Sequence, residues 1–232
     1  MNQTLQPVYA GRTGSADLVA QRNRVLRNTY WLLALSMIPT VLGAWIGVAT
    51  GITATMSPGI SLIVFLGGAF GLMFAIERTK NSAAGVPVLL GFTFFMGLML
   101  SRLIGMVLGH TNGTGLIMTA FTGTGLIFFG MATMSTVIKR DLSNMGKWLF
   151  IGVIMLLVAG IANVFMQSGP LMITLAVLAI GIFSLFILHD LKRVRDGEET
   201  NYITATLGVY LSVFNVFQSL LALLGIFGGN SD

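Results

Sequence analysis

The sequence predicts an all-α membrane protein with seven transmembrane helices. The 232 residues are 55% hydrophobic and only 9% charged, whereas soluble domains carry roughly 25% charged residues. Mean hydropathy is +0.87, and seven apolar runs follow one another, each close to the ~20 residues that a helix needs to cross a bilayer. The chain contains no cysteine, which excludes disulfides, thiolate metal sites and cysteine nucleophiles.

The apolar runs set the domain organisation. They predict spans at residues 29–49, 58–77, 86–108, 115–138, 148–167, 171–190 and 203–226. Three of the breaks are turn clusters rich in Ser, Pro, Gly and Asn, and the other three contain Lys or Arg. We therefore expect a cytosolic N-terminal tail at 1–28, a seven-helix transmembrane domain at 29–226 and a short C-terminal tail at 227–232.

The basic residues indicate the orientation of the helices. Of the thirteen Lys and Arg, all except Arg102 fall in the N-terminal tail or in the second, fourth and sixth loops. Cytosolic loops of membrane proteins carry an excess of Lys and Arg, so the pattern predicts a cytosolic N-terminus and, with seven spans, a C-terminus outside. No apolar run lies near Met1, as a cleaved signal peptide would require. The net charge of +5 therefore reflects membrane insertion, and we expect no nucleic-acid partner.

Glycines inside the spans are interpreted as packing seams. Small residues allow the backbones of neighbouring helices to approach closely where no hydrophobic effect drives their association. The positions interpreted in this way are Gly67, Gly68, Gly71, Gly91, Gly97, Gly123, Gly125 and Gly130.

Polar residues in the last two spans form the candidate site. Polar groups are costly in hydrocarbon and often mark function. His189 and Asp190 close the sixth span, and their side chains point about 100° apart; we expect Asp190 to face inward. In the seventh span Ser212 shares a face with Asn215, and Asn215 shares one with Gln218; we expect this stripe to turn toward the sixth helix. The group is a candidate ion or pH-sensing site, in which His189 takes up a proton near neutral pH where water reaches it. Alternatively, His189 and Asp190 are a helix-end pair bonded to the next loop, and the polar stripe is structural.

A charged residue within the third span has two interpretations. Arg102 lies toward its outer end, where its long side chain either reaches the headgroups or serves as an intramembrane counter-charge to a carboxylate. His110 and His189 are predicted on opposite sides of the membrane, so we expect no metal site. The spans contain no arrangement typical of an intramembrane enzyme, and we expect neither catalysis nor a cofactor.

Two stretches resemble a known family. Residues 197–203 read Gly-Glu-Glu-Thr-Asn-Tyr-Ile, and residues 209–217 read Val-Tyr-Leu-Ser-Val-Phe-Asn-Val-Phe. With the Leu-Leu-Ala-Leu-Leu-Gly run at 220–225, this pattern resembles the C-terminal signature of the Bax-inhibitor-one family. The run Val-Leu-Arg-Asn-Thr-Tyr at 25–30 is similar to the bacterial YccA branch of that family.

The resemblance implies a fold, a location and a partner. The seventh helix is expected to be central and wrapped by the other six, in the cytoplasmic (inner) membrane of a bacterium. The YccA branch implies binding to FtsH, the membrane-anchored ATP-dependent protease, and modulation of its activity. The polar N-terminal tail would give that protease a segment to grip.

The resemblance also implies an alternative function, a pH-sensitive calcium or cation leak channel. In calcium-leak members an aspartate pair on helices six and seven senses pH, and protonation opens a pore. Asp190 matches the first aspartate, whereas Ser212 occupies the second position. Two carboxylates that share a proton titrate differently from one alone, so this departure puts a calcium leak gated by protons in question and leaves a passive leak of Ca²⁺ or another cation open.

Overall fold

The structure is a computed structural model that describes residues 10–228, including the side chains of 17–142 and 144–228. Within residues 10–228 the chain forms seven α-helices and no strand. They are α1 (Ala10–Thr50), α2 (Pro58–Thr79), α3 (Gly85–Leu108), α4 (Gly113–Val137), α5 (Ser143–Met166), α6 (Gly169–Asp196) and α7 (Tyr202–Gly228). Each contains a segment long and apolar enough to cross a membrane, which confirms the predicted fold class.

Helix ends follow the turn clusters that the sequence contains. α2 begins after Ser57, whose Oγ accepts a hydrogen bond from the Ile60 N–H at 3.4 Å. α6 begins in the same way after Ser168, which accepts from the Leu171 N–H at 3.4 Å. A proline in the first turn of each helix supports this start. α6 ends at Asp196 and is capped by Gly197, whose φ of +84° is accessible to glycine without strain.

The alternating helices give the bundle two faces. The charged face consists of the N-terminal part of α1 and the loops that join α2 to α3, α4 to α5 and α6 to α7. The Arg102 face consists of the loops that join α1 to α2, α3 to α4 and α5 to α6. Which face meets the cytosol stays a prediction from the basic residues.

Two helices extend farthest beyond the predicted spans on the charged face. α1 begins at Ala10, within the segment assigned to the tail, and α6 continues to Asp196, beyond the predicted end at residue 190. Val25 of α1 packs with Val194 of α6 and Ala205 of α7, and all three are buried. The chain before the first predicted span is therefore in part a helix docked on the ends of α6 and α7.

The core lies between α1, α3, α6 and α7. Its fully buried side chains include Leu89, Phe92, Ile187, Val209, Tyr210 and Val216. α7 packs against α1, α2, α3, α4 and α6, while α5 packs chiefly against α6. The resemblance implies that all six other helices wrap α7; its main contacts are with five of them. Large apolar side chains on the outside, such as Trp45, Trp148 and Phe165, are expected to face lipid.

Buried and half-buried hydroxyls of α1 bond to carbonyls of their own helix. Thr29 donates to the Val25 carbonyl at 2.9 Å, Ser36 donates to Leu32 at 2.7 Å, and Thr40 donates to Ser36 at 2.8 Å. A polar side chain of this kind is satisfied without a partner from another helix.

Glycines bring α1 and α3 into backbone contact. A Cβ at Gly97 would lie 2.0 Å from the Thr40 carbonyl oxygen, and one at Gly43 would lie 2.1 Å from that of Phe94. The packing prediction is therefore confirmed for Gly97, and also for Gly68, where a Cβ would lie 2.3 Å from the Phe95 ring. It is wrong where a Cβ would meet nothing within 4 Å, at Gly67, Gly71, Gly91, Gly125 and Gly130.

Candidate functional site

His189 and Asp190 lie inside α6, and their side chains face different helices. A Cβ at Gly146 of α5 would stand 2.7 Å from His189 Nε2, and one at Gly208 of α7 would stand 2.9 Å from Asp190 Oδ2. Asp190 therefore faces α7, as expected, whereas His189 faces α5. The alternative of a helix-end pair bonded to the next loop is wrong, because α6 continues to Asp196.

The two side chains also contact each other. His189 Nδ1 lies 3.3 Å from Asp190 Oδ1, at the long end of hydrogen-bond distances. The His189 and Asp190 side chains are 9% and 16% exposed, and the imidazole packs edge-on against Phe186. Because α5 and Phe186 cover the His189 ring, water has little access to it.

The polar stripe of α7 is satisfied largely by its own helix. Ser212 is buried and donates to the Gly208 carbonyl at 3.0 Å. Asn215 Nδ2 donates to the Leu211 carbonyl at 2.7 Å. Gln218 is exposed, so the prediction that the whole stripe turns inward is wrong at this position. Gly208 links the candidate residues, since Asp190 lies against its Cα and Ser212 binds its carbonyl.

The site has the chemistry of one carboxylate beside one imidazole. Within residues 10–228 no group of three or more His, Asp or Glu side chains is placed to hold a metal ion. Ca²⁺ in a resident site takes six to eight oxygen ligands. His189 and Asp190 by themselves supply fewer ligands than such a site needs.

A second cluster on the charged face was missed by sequence reasoning. Lys192 Nζ and Arg195 Nε both donate to Asp196, the second at 2.9 Å. Arg195 also donates to the carbonyls of Ser135 and Ile138 at the end of α4, and its Nη2 lies 3.2 Å from the Ile138 oxygen. The cluster joins α4 to α6. The spacing of four between Lys192 and Asp196 on one helix was the signal that could have indicated the pair.

The segment that carries the family resemblance connects two helix ends. Gly197 ends α6, and its N–H donates to the Val194 carbonyl at 3.2 Å. Asn201 precedes α7 and caps its first turn, because its Oδ1 accepts a hydrogen bond from the Ile203 N–H at 2.9 Å. Asn201 Nδ2 donates to the Lys80 carbonyl at 3.1 Å, which joins this loop to the one between α2 and α3.

Arg102 lies on the other face of the bundle. Its Nη1 donates to the Met56 carbonyl at 3.3 Å, in the loop after α1. Among residues 17–228 it forms no ion pair, and the Asp and Glu side chains of that part lie toward the charged face. The structure thus does not bring the possible counter-charge Arg102 to Asp190 or to another described carboxylate.

Comparison with known proteins places these features in a family. The family model described as "Inhibitor of apoptosis-promoting Bax1" matches residues 22–229. The chain is 36% identical to the "Modulator of FtsH protease YccA" of Escherichia coli strain K12, over 88% of this chain and 90% of that protein. It is 36% identical, with the same coverage, to the "Inner membrane protein YccA" of Escherichia coli O6:H1.

A third relative covers more of the chain. An "Uncharacterized membrane protein" of Vibrio cholerae is 35% identical over 94% of this chain and 96% of that protein. The resemblance seen in the C-terminal motif and around residues 25–30 therefore extends through all seven helices. The chain belongs to the Bax-inhibitor-one family as a multi-pass membrane protein similar to YccA.

Proposed function

We propose that the protein binds FtsH in the bacterial inner membrane and modulates its proteolysis. The observation that carries this proposal is the 36% identity to the Escherichia coli modulator of FtsH protease, over 88% of this chain. A relative named as an inner membrane protein supports the location. In this function the protein is a partner and slow substrate of the protease and has no catalytic role of its own.

The length of α1 supports a route by which a protease could engage the chain. Its 41 residues correspond to about 60 Å of helix, about twice what a span requires. The part before Thr29 therefore extends beyond the span on the charged face. That extension is held by Val25 against Val194 and Ala205. Arg22 lies over the α6–α7 loop, where a Cβ at Gly197 would meet its Nε at 2.4 Å.

This packing makes the N-terminal segment a slow entry point. A protease that pulls on the first residues must separate the α1 extension from α6 and α7 before it reaches the span. This separation exposes the buried Val25 and Val194 side chains to water, and the free-energy cost of that exposure opposes the pull of the protease. A chain that enters slowly occupies the protease and delays other substrates, and this is the form of modulation we propose.

The test uses purified FtsH and the full-length protein in the same liposomes. We expect the protein to co-purify with FtsH and to slow the degradation of a second membrane substrate. Deletion of residues 2–20 should abolish its own degradation and the competition, with insertion unchanged. Removal of residues 229–232 is the matched control and should have no effect. Failure of the full-length chain to co-purify or compete would contradict the function, and equal processing of the 2–20 deletion would contradict the route.

A second candidate function is a calcium or cation leak that responds to pH. The observation in its favour is the Asp190 carboxylate, which is 16% exposed and faces α7 beside a buried imidazole. We expect Asp190→Asn to change Ca²⁺ or proton flux through the protein in liposomes between about pH 6 and 8, because it removes the carboxylate beside His189. Glu77→Gln, at a more exposed helix end on the same face, is the control. Equal flux in wild type and Asp190→Asn at each pH would remove Asp190 from this function.

A further inference from the structure

A recess opens on the Arg102 face, away from the candidate site. Its volume is about 360 Å³, and its lining includes Gly47, Gly51, Thr53, Ser101, Arg102 and Gly105. It lies where α1 ends and the last turns of α3 pass beside the following loop. None of these residues takes part in the function proposed above.

Glycines create the space of the recess. A Cβ at Gly51 or at Gly105 would meet nothing within 4 Å, so both positions border open volume. Gly47 acts differently, because a Cβ there would stand 2.3 Å from Ser101 Oγ. Its small size allows the Ser101 hydroxyl to reach Thr53, and the two oxygens lie 2.7 Å apart.

The Thr53 and Ser101 hydroxyls are used in hydrogen bonds within the wall of the recess. The Arg102 guanidinium is therefore the main group that could bind a ligand there. Ser101 donates to the Leu98 carbonyl at 2.6 Å, so Thr53 supplies the proton of the Thr53–Ser101 bond. Arg102 is half-buried and makes one long bond, from Nη1 to the Met56 carbonyl at 3.3 Å. A guanidinium has five N–H donors. A positive charge at this depth is stabilised by an anion, and the carboxylates of residues 17–228 lie toward the other face.

We propose that the recess binds the phosphate group of a phospholipid through Arg102. The planar guanidinium matches a phosphate with two parallel hydrogen bonds. Arg102 lies fewer than two helical turns before the end of α3 at Leu108, so its long side chain can reach the headgroup region. Large apolar side chains beside the recess are exposed, with Met106 at 56% and Ile52 at 47%. They offer acyl chains a surface next to the phosphate, which a free phosphate ion would not use.

Native mass spectrometry of the full-length protein in a neutral maltoside detergent tests the proposal. The probes are dioleoyl phosphatidylglycerol, dioleoylglycerol, which lacks the phosphate, and inorganic phosphate. We expect one phosphatidylglycerol to be retained per chain and dioleoylglycerol to be lost. Arg102→Gln should weaken retention about tenfold through the loss of the charged hydrogen bonds.

Two further variants separate binding from folding. Gly105→Leu fills the recess from a position where a Cβ meets nothing, and should weaken retention as Arg102→Gln does. Arg78→Gln is the control, since that guanidinium lies over the Phe74 ring on the charged face, and should retain lipid like the wild type. If Arg102→Gln does not fold, as judged by circular dichroism and size-exclusion chromatography, Gly105→Leu decides.

The outcomes distinguish the proposal from its alternatives. Retention equal to the wild type in both Arg102→Gln and Gly105→Leu would overturn the site. Equal retention of dioleoylglycerol would show that acyl chains alone bind, and would overturn the role of the phosphate. If inorganic phosphate displaces the lipid with the same dependence on Arg102, the lipid is overturned as the ligand and the recess is a site for a free anion.

Discussion

The carboxylate of Asp190 lies directly against the backbone of Gly208, where an added Cβ would stand 2.9 Å from Oδ2. This relationship couples α6 to α7 at the carboxylate on which the leak alternative depends. It also explains why the seventh helix has no side chain at 208, because any Cβ would compete with the carboxylate for the same space.

Gly208→Ala should destabilise the protein by about 1 kcal/mol, because overpacking forces a side chain or a helix to move. Unfolding in SDS, followed by circular dichroism, measures the change. The penalty should shrink in an Asp190→Ala background, which removes the opposing oxygen. Gly125→Ala is the control, since a Cβ there meets nothing within 4 Å. An equal loss of stability in the wild-type and Asp190→Ala backgrounds would show that the added Cβ clashes with a group other than Asp190.

Gly97→Ala should be more harmful, because its Cβ would approach backbone rather than a side chain. The Thr40 carbonyl oxygen would lie 2.0 Å away, so α1 and α3 must separate. We expect a loss of about 2–3 kcal/mol in the free energy of unfolding. Gly91→Ala on the same helix meets nothing within 4 Å and should be neutral or stabilising. Similar stability of the two variants would contradict the close approach of these helices.

Tyr210→Phe tests the polar contact between α7 and α1. The buried Tyr210 hydroxyl lies 2.9 Å from Thr40 Oγ1, and it donates because Thr40 already donates to Ser36. Removal of the hydroxyl should reduce the free energy of unfolding by about 1 kcal/mol.

The control for Tyr210→Phe is Tyr202→Phe, at the start of the same helix. Among the described residues the Tyr202 hydroxyl has no hydrogen bond, so this substitution should leave stability nearly unchanged. If both variants unfold at the SDS concentration of the wild type, the Tyr210–Thr40 bond does not contribute to stability.

Arg195→Gln should loosen the end of α4. Its guanidinium donates to the Ser135 and Ile138 carbonyls, and bonds to charged groups contribute about 2 kcal/mol. We expect faster hydrogen exchange in residues 133–138, where the backbone would lose its anchor to α6. The control is Arg193→Gln, whose side chain is 41% exposed and 3.7 Å from Glu198; exchange in the same segment should not change.

The fold class could be predicted because a bilayer imposes a length and a composition on each helix. That His189 and Asp190 face different helices could also be predicted, since helical geometry separates adjacent side chains. The α1 extension could not, because a polar sequence becomes an ordered helix there through Val25, whose partners Val194 and Ala205 lie far along the chain.

The details of the site depended on packing that one sequence does not contain. Gly91 and Gly97 are both glycines on α3, yet only Gly97 packs against the backbone of another helix. Gln218 shares a helix face with Asn215, but Asn215 binds the Leu211 carbonyl and does not require an inward polar stripe. The partner of Arg102 is a backbone carbonyl, which side-chain patterns do not indicate.

The self-satisfied hydroxyls of α1 have a consequence for the order in which the bundle assembles. α1 leaves the ribosome first and α7 last, so polar side chains of α1 face lipid or the insertion machinery before the bundle closes over them. Thr29, Ser36 and Thr40 already bond to their own helix, so they tolerate that delay without an unsatisfied group. When α7 arrives, Thr40 still has a free lone pair for Tyr210, and the first helix accepts the last one without breaking a bond that it already has.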